Sequence, residues 1–546
     1  TDTVVSPGWL YRLMKPIFDY PEKVASTTPF TNAGTICSFP NFLEDNDLPQ
    51  EFDYEKIDKV FSLIDTEKFM IELPSAVGFC MGINKRALKD IGYFNEELFG
   101  KGYGEENDWS MRASIKGYKN ILVPNLFIYH KHGGSFSSSE KQSLMNKNLE
   151  IIKTLYPNYI KLVNDFINDD PPKAVRDFVF FKYIIKHVDT TLIVDHNIGG
   201  GANVYSRKLI EDRIREGNVV LHYTENIVNL ERVINLYYKK FKKQFVLDDY
   251  NLLTHILDDA KLVEIILNNL VSYIEPLKML DLLIEIKKKK PGISIVFPVH
   301  DFYSICPSYN LLDKNGVFCN VPEDISVCIN CISENIYAER DTDISMWRKS
   351  WREFLKFTDK VVLFSNSSKD IIKKAYPEIS DEKIYILPHK LDVIFRKPRL
   401  SKPDKEINIA VIGNINYAKG AKVISDLLKM IERKKLAMNV FIIGNLESFF
   451  EKSYGNLKIL GSYKREDLPD ILEKENIHIV FFPSICPETF SYVVEECIEM
   501  GLPIVAFDIG APAERLRNYK SGRLVRVGDI EGVIEAILNL CKEYKR

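Results

Sequence analysis

Near its C-terminal end the chain carries a short, largely apolar run at residues 477–482 that stops at Pro483. A brief polar loop follows, and then Tyr492, Val493, Cys497 and Met500 recur at helical spacing until Gly501. The pattern reads as strand, loop and helix. Short apolar runs of the same kind stand at 191–195, 293–299, 361–365, 407–412, 440–443 and 502–507, with helical patterns between them. Such runs, alternating with helical patterns, read as buried strands of an α/β fold. Glu488 falls in the loop after the first run, and Glu496 lies about one to two turns into the helix. A carboxylate at the carboxyl end of a strand in such a sheet faces the crevice where these folds bind ligands. The helix start beside it offers free backbone N–H groups to an anion. Taken alone, the same residues would also suit a solvated acid beside an ordinary amphipathic helix.

A length of 546 residues leaves room for about three or four domains. The net charge of −3 gives no global attraction to nucleic acid or to an anionic membrane. No apolar run reaches transmembrane length, and no signal-peptide pattern is visible. Nine cysteines at irregular spacing do not form a secreted disulfide framework. The expected setting is cytoplasmic, with peripheral association at the inner face of the membrane left open.

The run at 502–507 is followed by Gly510, Pro512 and Glu514. Together with Glu488 and Glu496, these residues resemble the signature of retaining glycosyltransferases of family four, which have the GT-B fold. The resemblance implies that Glu488 contacts the transferred sugar near its reacting carbon and that Glu496 holds the ribose hydroxyls of the nucleotide. A carboxylate accepts two hydroxyl hydrogen bonds at once, which suits a diol. Two glycine turns fit the same scheme. Gly199, Gly200 and Gly201 separate the run at 191–195 from a helix, where backbone amides can approach a phosphate or sugar. Gly413, Lys419 and Gly420 follow the run at 407–412, with Lys419 adding positive charge for a diphosphate. The family commonly has a basic residue after the first of these glycines; here it is Asn414. His300 and Asp301 end the run at 293–299, and the resemblance gives His300 a role in binding the donor sugar or in acid/base work. A histidine capping the next turn would carry the same residue.

The N-terminal part resembles the second half of an inverting family-two glycosyltransferase of the GT-A fold. The motifs, in order, are Asp2; Thr31 to Cys37; Ala76 to Met81; Gly102 to Arg112; and Tyr129 to Phe136. Asp2 matches the last acid of the family's metal-binding motif, so the front of that domain is expected to be missing. Glu106 matches the general base for an acceptor hydroxyl. Crowding by Glu105 and Asp108 would raise its pKa, although an acidic helix start would look the same. His130 matches a late metal ligand, joining Asp2 on Mg²⁺ or Mn²⁺. Packing or capping is the alternative for that histidine.

Cys306, Cys319, Cys328 and Cys331 fall close together, the last two as C-x-x-C. The ligand count suits a structural zinc ion; buried thiols or a disulfide are the other two options.

The expected architecture is therefore α/β. A partial GT-A domain spans 1–140, a helical linker 141–187, and a GT-B acceptor-side Rossmann-like domain 188–397. A hinge follows at 398–404, and a nucleotide-sugar-binding Rossmann-like domain at 405–546 faces the other across a cleft. The expected function is sugar transfer from a nucleotide-sugar donor to a glycan or lipid-linked acceptor in a cell-surface polysaccharide such as O-antigen or capsule. The GT-B head would retain configuration and the GT-A head invert it, with no nucleic-acid partner. The alternatives are another GT-B enzyme, such as a nucleotide-sugar epimerase or a phosphorylase, and a non-catalytic carbohydrate-binding scaffold.

Overall fold

A computed structural model of the protein describes residues 2–46, 48, 52–100, 103–131, 138–226, 230–340, 342–391, 393–448 and 454–544. Gly102 and residues 132–136 of the motifs above lie outside the described residues. The chain divides into two units, Thr1–Asp189 with Asp259–Lys261 and Thr190–Asp258 with Leu262–Arg546.

In the first unit, strands Val24–Phe30 and Lys119–Phe127 pair in parallel at the centre of a four-stranded mixed sheet. Ile71–Leu73 and Gly82–Ile83 flank them antiparallel. Phe30, Phe39, Phe61 and Phe127 meet in one aromatic cluster, with ring centroids 5.0 to 5.9 Å apart. Buried Asp58 accepts both guanidinium nitrogens of Arg12 and the main-chain N–H of Phe127. The three helices Ser138–Leu155, Tyr159–Asp169 and Lys173–His187 belong to this unit instead of forming a free connector. Ile152 and Tyr159 share a core with Phe99 and Met111, and Tyr183 packs on Phe52 at 5.0 Å. Apolar residues of the first two helices meet in that core, while the third packs on Phe52.

The second unit holds two sheets. Six parallel strands of the first run in the order Val219–Asn226, Thr190–His196, Leu262–Leu267, Ser294–Pro298, Lys360–Leu363, Ile384–Ile386. The hairpin Glu231–Tyr238 and Phe241–Leu247 extends it antiparallel at one edge. The second sheet is wholly parallel, in the order Leu457–Ile459, Met438–Leu446, Ile407–Ile415, Ile479–Phe482, Ile504–Phe507, Gly522–Val525. Its strands are buried on both faces between two apolar clusters, one centred on Val411, Leu427 and Phe481, the other on Ala410, Val480 and Ile504. The helix Ala421–Lys434 covers one face.

Each sheet reverses its winding at its first strand. Thr190–His196 lies between Val219–Asn226 and Leu262–Leu267, and Ile407–Ile415 lies between Met438–Leu446 and Ile479–Phe482. At such a switch point the connecting helices leave on opposite faces, so the loops at the carboxyl ends part and leave a crevice. Among the described residues no helix is long and apolar enough to cross a membrane.

Candidate functional site

The loops at the two switch points carry most of the residues singled out from the sequence. In the second sheet, one loop runs from Asn416 to Gly420 and the other from Pro483 to Ser491. They pack so closely that a Cβ on Gly420 would stand 2.2 Å from the Pro483 carbonyl oxygen, at a φ of +91°. The Glu488 loop is held from behind by Gly510. Its φ is +68°, a Cβ there would lie 2.8 Å from the Glu488 nitrogen, and the neighbouring Ala511 N–H donates to the Glu488 carbonyl at 2.9 Å. Both positions therefore require glycine.

A cavity of about 290 Å³ opens between these loops and those of the first sheet. Glu488 and Lys419 line it on one side; His196, Gly201, His300 and Asp301 line it on the other. Burial pushes the Glu488 carboxyl up, against the opposing pull of Lys419 and the Ser484 hydroxyl. Its Oε1 is buried and has no hydrogen-bond donor among the described residues. A buried carboxylate oxygen without a donor is costly unless a ligand supplies one.

His300 is oriented by a chain of side chains behind it. Asn268 Nδ2 donates to Asp195 Oδ1 at 2.9 Å and to the Ala202 carbonyl at 3.1 Å, so its Oδ1 is an acceptor. His300 Nε2 lies 2.9 Å from that oxygen and must carry the proton. Burial, with His389 beside it, pushes the imidazole pKa down to about 3, so the ring is neutral and Nδ1 is an acceptor at physiological pH. Phe364 and His389 pack against the ring at 5.0 and 5.9 Å. Asp195 also accepts from Asn203 Nδ2 at 2.9 Å, and Asn203 Oδ1 takes the Gly199 N–H at 2.7 Å. This clasp holds the glycine turn, in which Gly199 and Gly200 have φ of +87° and +88°. The helix Gly201–Arg215 starts there without a side-chain cap.

Three of the expected donor residues stand apart from the lining of this cavity. Gly200 is exposed at the turn, and Gly413 sits at the end of its strand against Gly444. Glu496, 1% exposed, lies on the helix Tyr492–Glu499 and accepts from Arg465 Nε at 2.6 Å. Asn414, where the family has a cation, accepts from Asn445 Nδ2 at 3.0 Å. Sequence patterns gave no site role to Asn269, Tyr309, His389 or Tyr492, which also line the cavity, nor to Asp301. Asp301 accepts from Asn269 Nδ2 at 2.8 Å and from the Tyr303 N–H at 2.9 Å, and burial raises its pKa to about 6. Its place directly after His300 at a strand end was the available signal.

In the first unit, Asp2 and His130 are brought together by a two-stranded ladder in which Thr3 pairs with His130. The Lys131 N–H donates to the Asp2 carbonyl at 2.7 Å. His130 Nδ1 bonds the Ala33 carbonyl at 3.0 Å, which makes Nδ1 the donor and leaves Nε2 for another partner. Among the described residues no three His, Cys, Asp or Glu side chains are grouped to hold a metal ion, so the metal reading of this pair rests on the resemblance alone. Glu106, at the start of the helix Glu105–Ile115, accepts the Gly104 N–H at 3.2 Å. Its carboxyl is raised first by burial and then by Glu105, so desolvation outweighs the crowding expected from the sequence. Asp108 is engaged elsewhere. It is buried, paired with Arg112, and accepts the Tyr156 hydroxyl at 2.7 Å.

The zinc expectation does not fit. Cys306, Cys319, Cys328 and Cys331 do line one cavity, of about 400 Å³. Among the described residues, however, no three His, Cys, Asp or Glu side chains are grouped to hold a metal ion. Arg348 donates to Cys328 Sγ at 3.3 Å, so that sulfur already has a partner. All nine cysteines are free, so the disulfide option is not realised either.

Residues 393–546 match the family described as Glycosyl transferases group 1. That match falls on the domain built on the second sheet, and the family it names is one of sugar-transferring enzymes. Among curated proteins, a GDP-mannose-dependent alpha-mannosyltransferase of Mycobacterium tuberculosis (strain CDC 1551 / Oshkosh) is 37% identical over 68 residues. That match takes in 12% of this chain and only 18% of that protein's length. Among solved structures, sucrose-phosphate synthase from Thermosynechococcus elongatus aligns with a TM-score of 0.44 at 15% identity, over 65% of this chain and 90% of that one. HepE of Anabaena in complex with UDP aligns with a TM-score of 0.42 at 14% identity, over 65% of this chain and 91% of that one.

Proposed function

We propose that the second unit transfers a sugar from a nucleotide-sugar donor to a glycan or lipid-linked acceptor, its two Rossmann-like domains facing across a GT-B cleft. The observation that carries this reading is the placement of Glu488 and Lys419 opposite His300 around one cavity, at the carboxyl ends of strands beside two switch points. In the reaction, the acceptor hydroxyl oxygen bonds to the anomeric carbon as that carbon's bond to the diphosphate breaks; the electron pair leaves with the diphosphate, whose oxygen takes the acceptor's proton. Lys419 and the glycine-turn amides supply positive potential for that charge. Glu488 offers an unpaired carboxylate oxygen to the sugar. His300, neutral and with Nε2–H engaged, binds a sugar hydroxyl through Nδ1 and does not serve as the acid. Closure around the donor would exclude water, which would otherwise hydrolyse it. Configuration is retained on this reading, by resemblance.

The first unit, on the same reading, is the later half of a family-two GT-A head that inverts configuration. Asp2 and His130 would share a Mg²⁺ or Mn²⁺ ion, which supplies charge neutralisation for a donor diphosphate. Glu106, with its raised carboxyl, would take the acceptor proton. Two transferases on one chain suit successive additions to a surface polysaccharide such as O-antigen or capsule, made on the cytoplasmic side of the membrane.

The test is release of nucleoside diphosphate by the full chain from a panel of donors that includes GDP-mannose and UDP-glucose. Release that depends on an added glycan acceptor and is lost in Glu488→Gln supports transfer. Undiminished transfer in Glu488→Gln would remove the second unit's site and favour a carbohydrate-binding scaffold. Interconversion of the donor without release would point to an epimerase.

A further inference from the structure

The turn that carries Lys419 is held from both domains of the second unit. Within its own domain, Asn416 Oδ1 accepts the Lys419 N–H at 3.0 Å, the Tyr417 carbonyl accepts the Gly420 N–H at 2.9 Å, and the Ala418 carbonyl accepts the Ile485 N–H at 3.0 Å. The hold from the domain of the first sheet runs through Tyr417, whose ring stacks on Tyr337 with centroids 4.8 Å apart and planes at 27°. Leu312 of that domain is buried against Ala418 and Cys486, with Tyr337, Tyr417 and Ile485 packed around them. The two tyrosine hydroxyls close over Gly316. Its φ is +74°, and a Cβ there would strike both, standing 2.8 Å from that of Tyr337. Tyr337 is itself fixed: its N–H donates to Asn335 Oδ1 at 2.9 Å, and Asn335 Nδ2 donates to the Leu312 carbonyl at 2.8 Å. Leu312 and Asn335 are also part of the wall of the cysteine-lined cavity. Lys419 lines the 290 Å³ cavity, and the two tyrosines stand outside that lining.

We propose that Tyr417 and Tyr337 are positioning residues for Lys419: the stacked pair locks the lysine's turn to the opposite domain and so sets where the ammonium stands against the donor diphosphate. This rests on the glycosyl-transfer reading above. A lysine is a point charge on a flexible stem, so its placement depends on the backbone that carries it. Lys419 is exposed, and its own side chain is not held by packing. Two features separate the role from simple packing. Tyr417 lies two residues from Lys419 on one closed turn, so a shift of the ring shifts the root of the lysine. The partner ring comes from the other domain, so the pair forms only at the spacing that also sets the width of the cavity. Stacked aromatic rings prefer a defined offset and tilt, which aliphatic contacts do not. Small displacements of a charged group at a reacting centre are costly in rate and in affinity.

The experiment is calorimetric titration of the full chain with UDP against UMP and with GDP against GMP. The readout is the ratio of the two affinities, which does not depend on the folded fraction of a variant. The variants are Tyr417→Ala, Tyr417→Phe, Tyr337→Ala, Lys419→Ala and the double variant Tyr417→Ala with Lys419→Ala. Wild type should prefer the diphosphate, and Lys419→Ala should lose most of that preference. Tyr417→Ala and Tyr337→Ala should each lower it about five-fold, the second without any change in the lysine's own turn. Tyr417→Phe should keep it, since the ring stack remains. In the double variant the tyrosine change should cost no further preference, because it acts through the lysine. Equal losses for diphosphate and monophosphate would make the pair merely structural and overturn the proposal. Full additivity in the double variant, or an unchanged preference in Tyr417→Ala, would overturn it too. Wild type that binds no nucleoside diphosphate at all would sink the glycosyl-transfer reading itself, a separate result.

Discussion

Thr489 Oγ1 donates a hydrogen bond of 2.7 Å to the main-chain carbonyl of His300. The residue next to Glu488 is thereby tied to the residue whose imidazole faces it across the cavity. A second tie lies farther out: the Glu514 carboxylate accepts the Asn366 and Ser367 N–H groups at 3.1 and 2.8 Å, at the start of the helix Asn366–Ala375. Both ties join the domain of the second sheet to that of the first. Thr489→Val keeps the side-chain volume and removes the first tie, leaving a carbonyl without its donor. We expect a stability loss of about 1 kcal/mol in urea unfolding. Transfer should fall further than donor binding does, because the two walls lose their register.

Glu488→Gln should lower kcat by at least about a hundred-fold with little change in unfolding midpoint, if its carboxylate acts only on the transferred sugar. In the wild type, burial raises this carboxyl, so transfer should fall with decreasing pH at a midpoint above the ordinary carboxylate range. Steady-state rates across pH measure both. A Glu488→Gln variant as active as wild type would remove Glu488 from the chemistry.

Gly420→Ala and Gly510→Ala test the loop geometry independently of charge. Each adds a Cβ within 2.8 Å of main-chain atoms at positive φ. A cost of about 2 kcal/mol or more is expected for each. Gly510→Ala should also depress transfer, since the atoms it strikes are those of Pro487 and Glu488. Thermal melts and transfer rates of the two variants separate the effects.

His300 predicts a direction for stability against pH. Its imidazole is pushed down to about 3 in the folded state from 6.5. Between those values the unfolded chain binds more protons, so stability rises with pH across that window and is lost as pH falls below about 6.5. Denaturation midpoints from pH 4 to 7 should slope upward in the wild type and less steeply in His300→Gln. Parallel slopes would show that the ring is not held neutral.

Asp58 tests the first unit. It is buried, and it serves Arg12 and the Phe127 N–H together. Asp58→Ala leaves the Phe127 amide unpaired and the Arg12 guanidinium with the Asn125 carbonyl but no counter-charge, and we expect a loss of about 3–5 kcal/mol. Fluorescence unfolding should show an early transition, with the cavity lined by Glu488 and His300 retaining its ligand binding.

Much of the second unit was written locally. The apolar runs at 407–412, 477–482 and 502–507 became buried parallel strands because a run without polar alternation can only sit between two layers. The loops at their ends, with Lys419, Glu488, the glycine turn and His300, follow from the same local pattern. The hairpin Glu231–Leu247 was not legible, since its turn, Lys239 and Lys240, carries no glycine or asparagine to announce it. Three matters were decided only by packing between distant segments. Which loops share a cavity depends on strand order, and periodicity carries no information about order. Glu496 pairs with Arg465 because a buried carboxylate must find a cation, and the cation came from 31 residues earlier in the chain. The four cysteines line a cavity but do not converge on a point, because helix geometry and Arg348, not spacing along the chain, set where each sulfur lies.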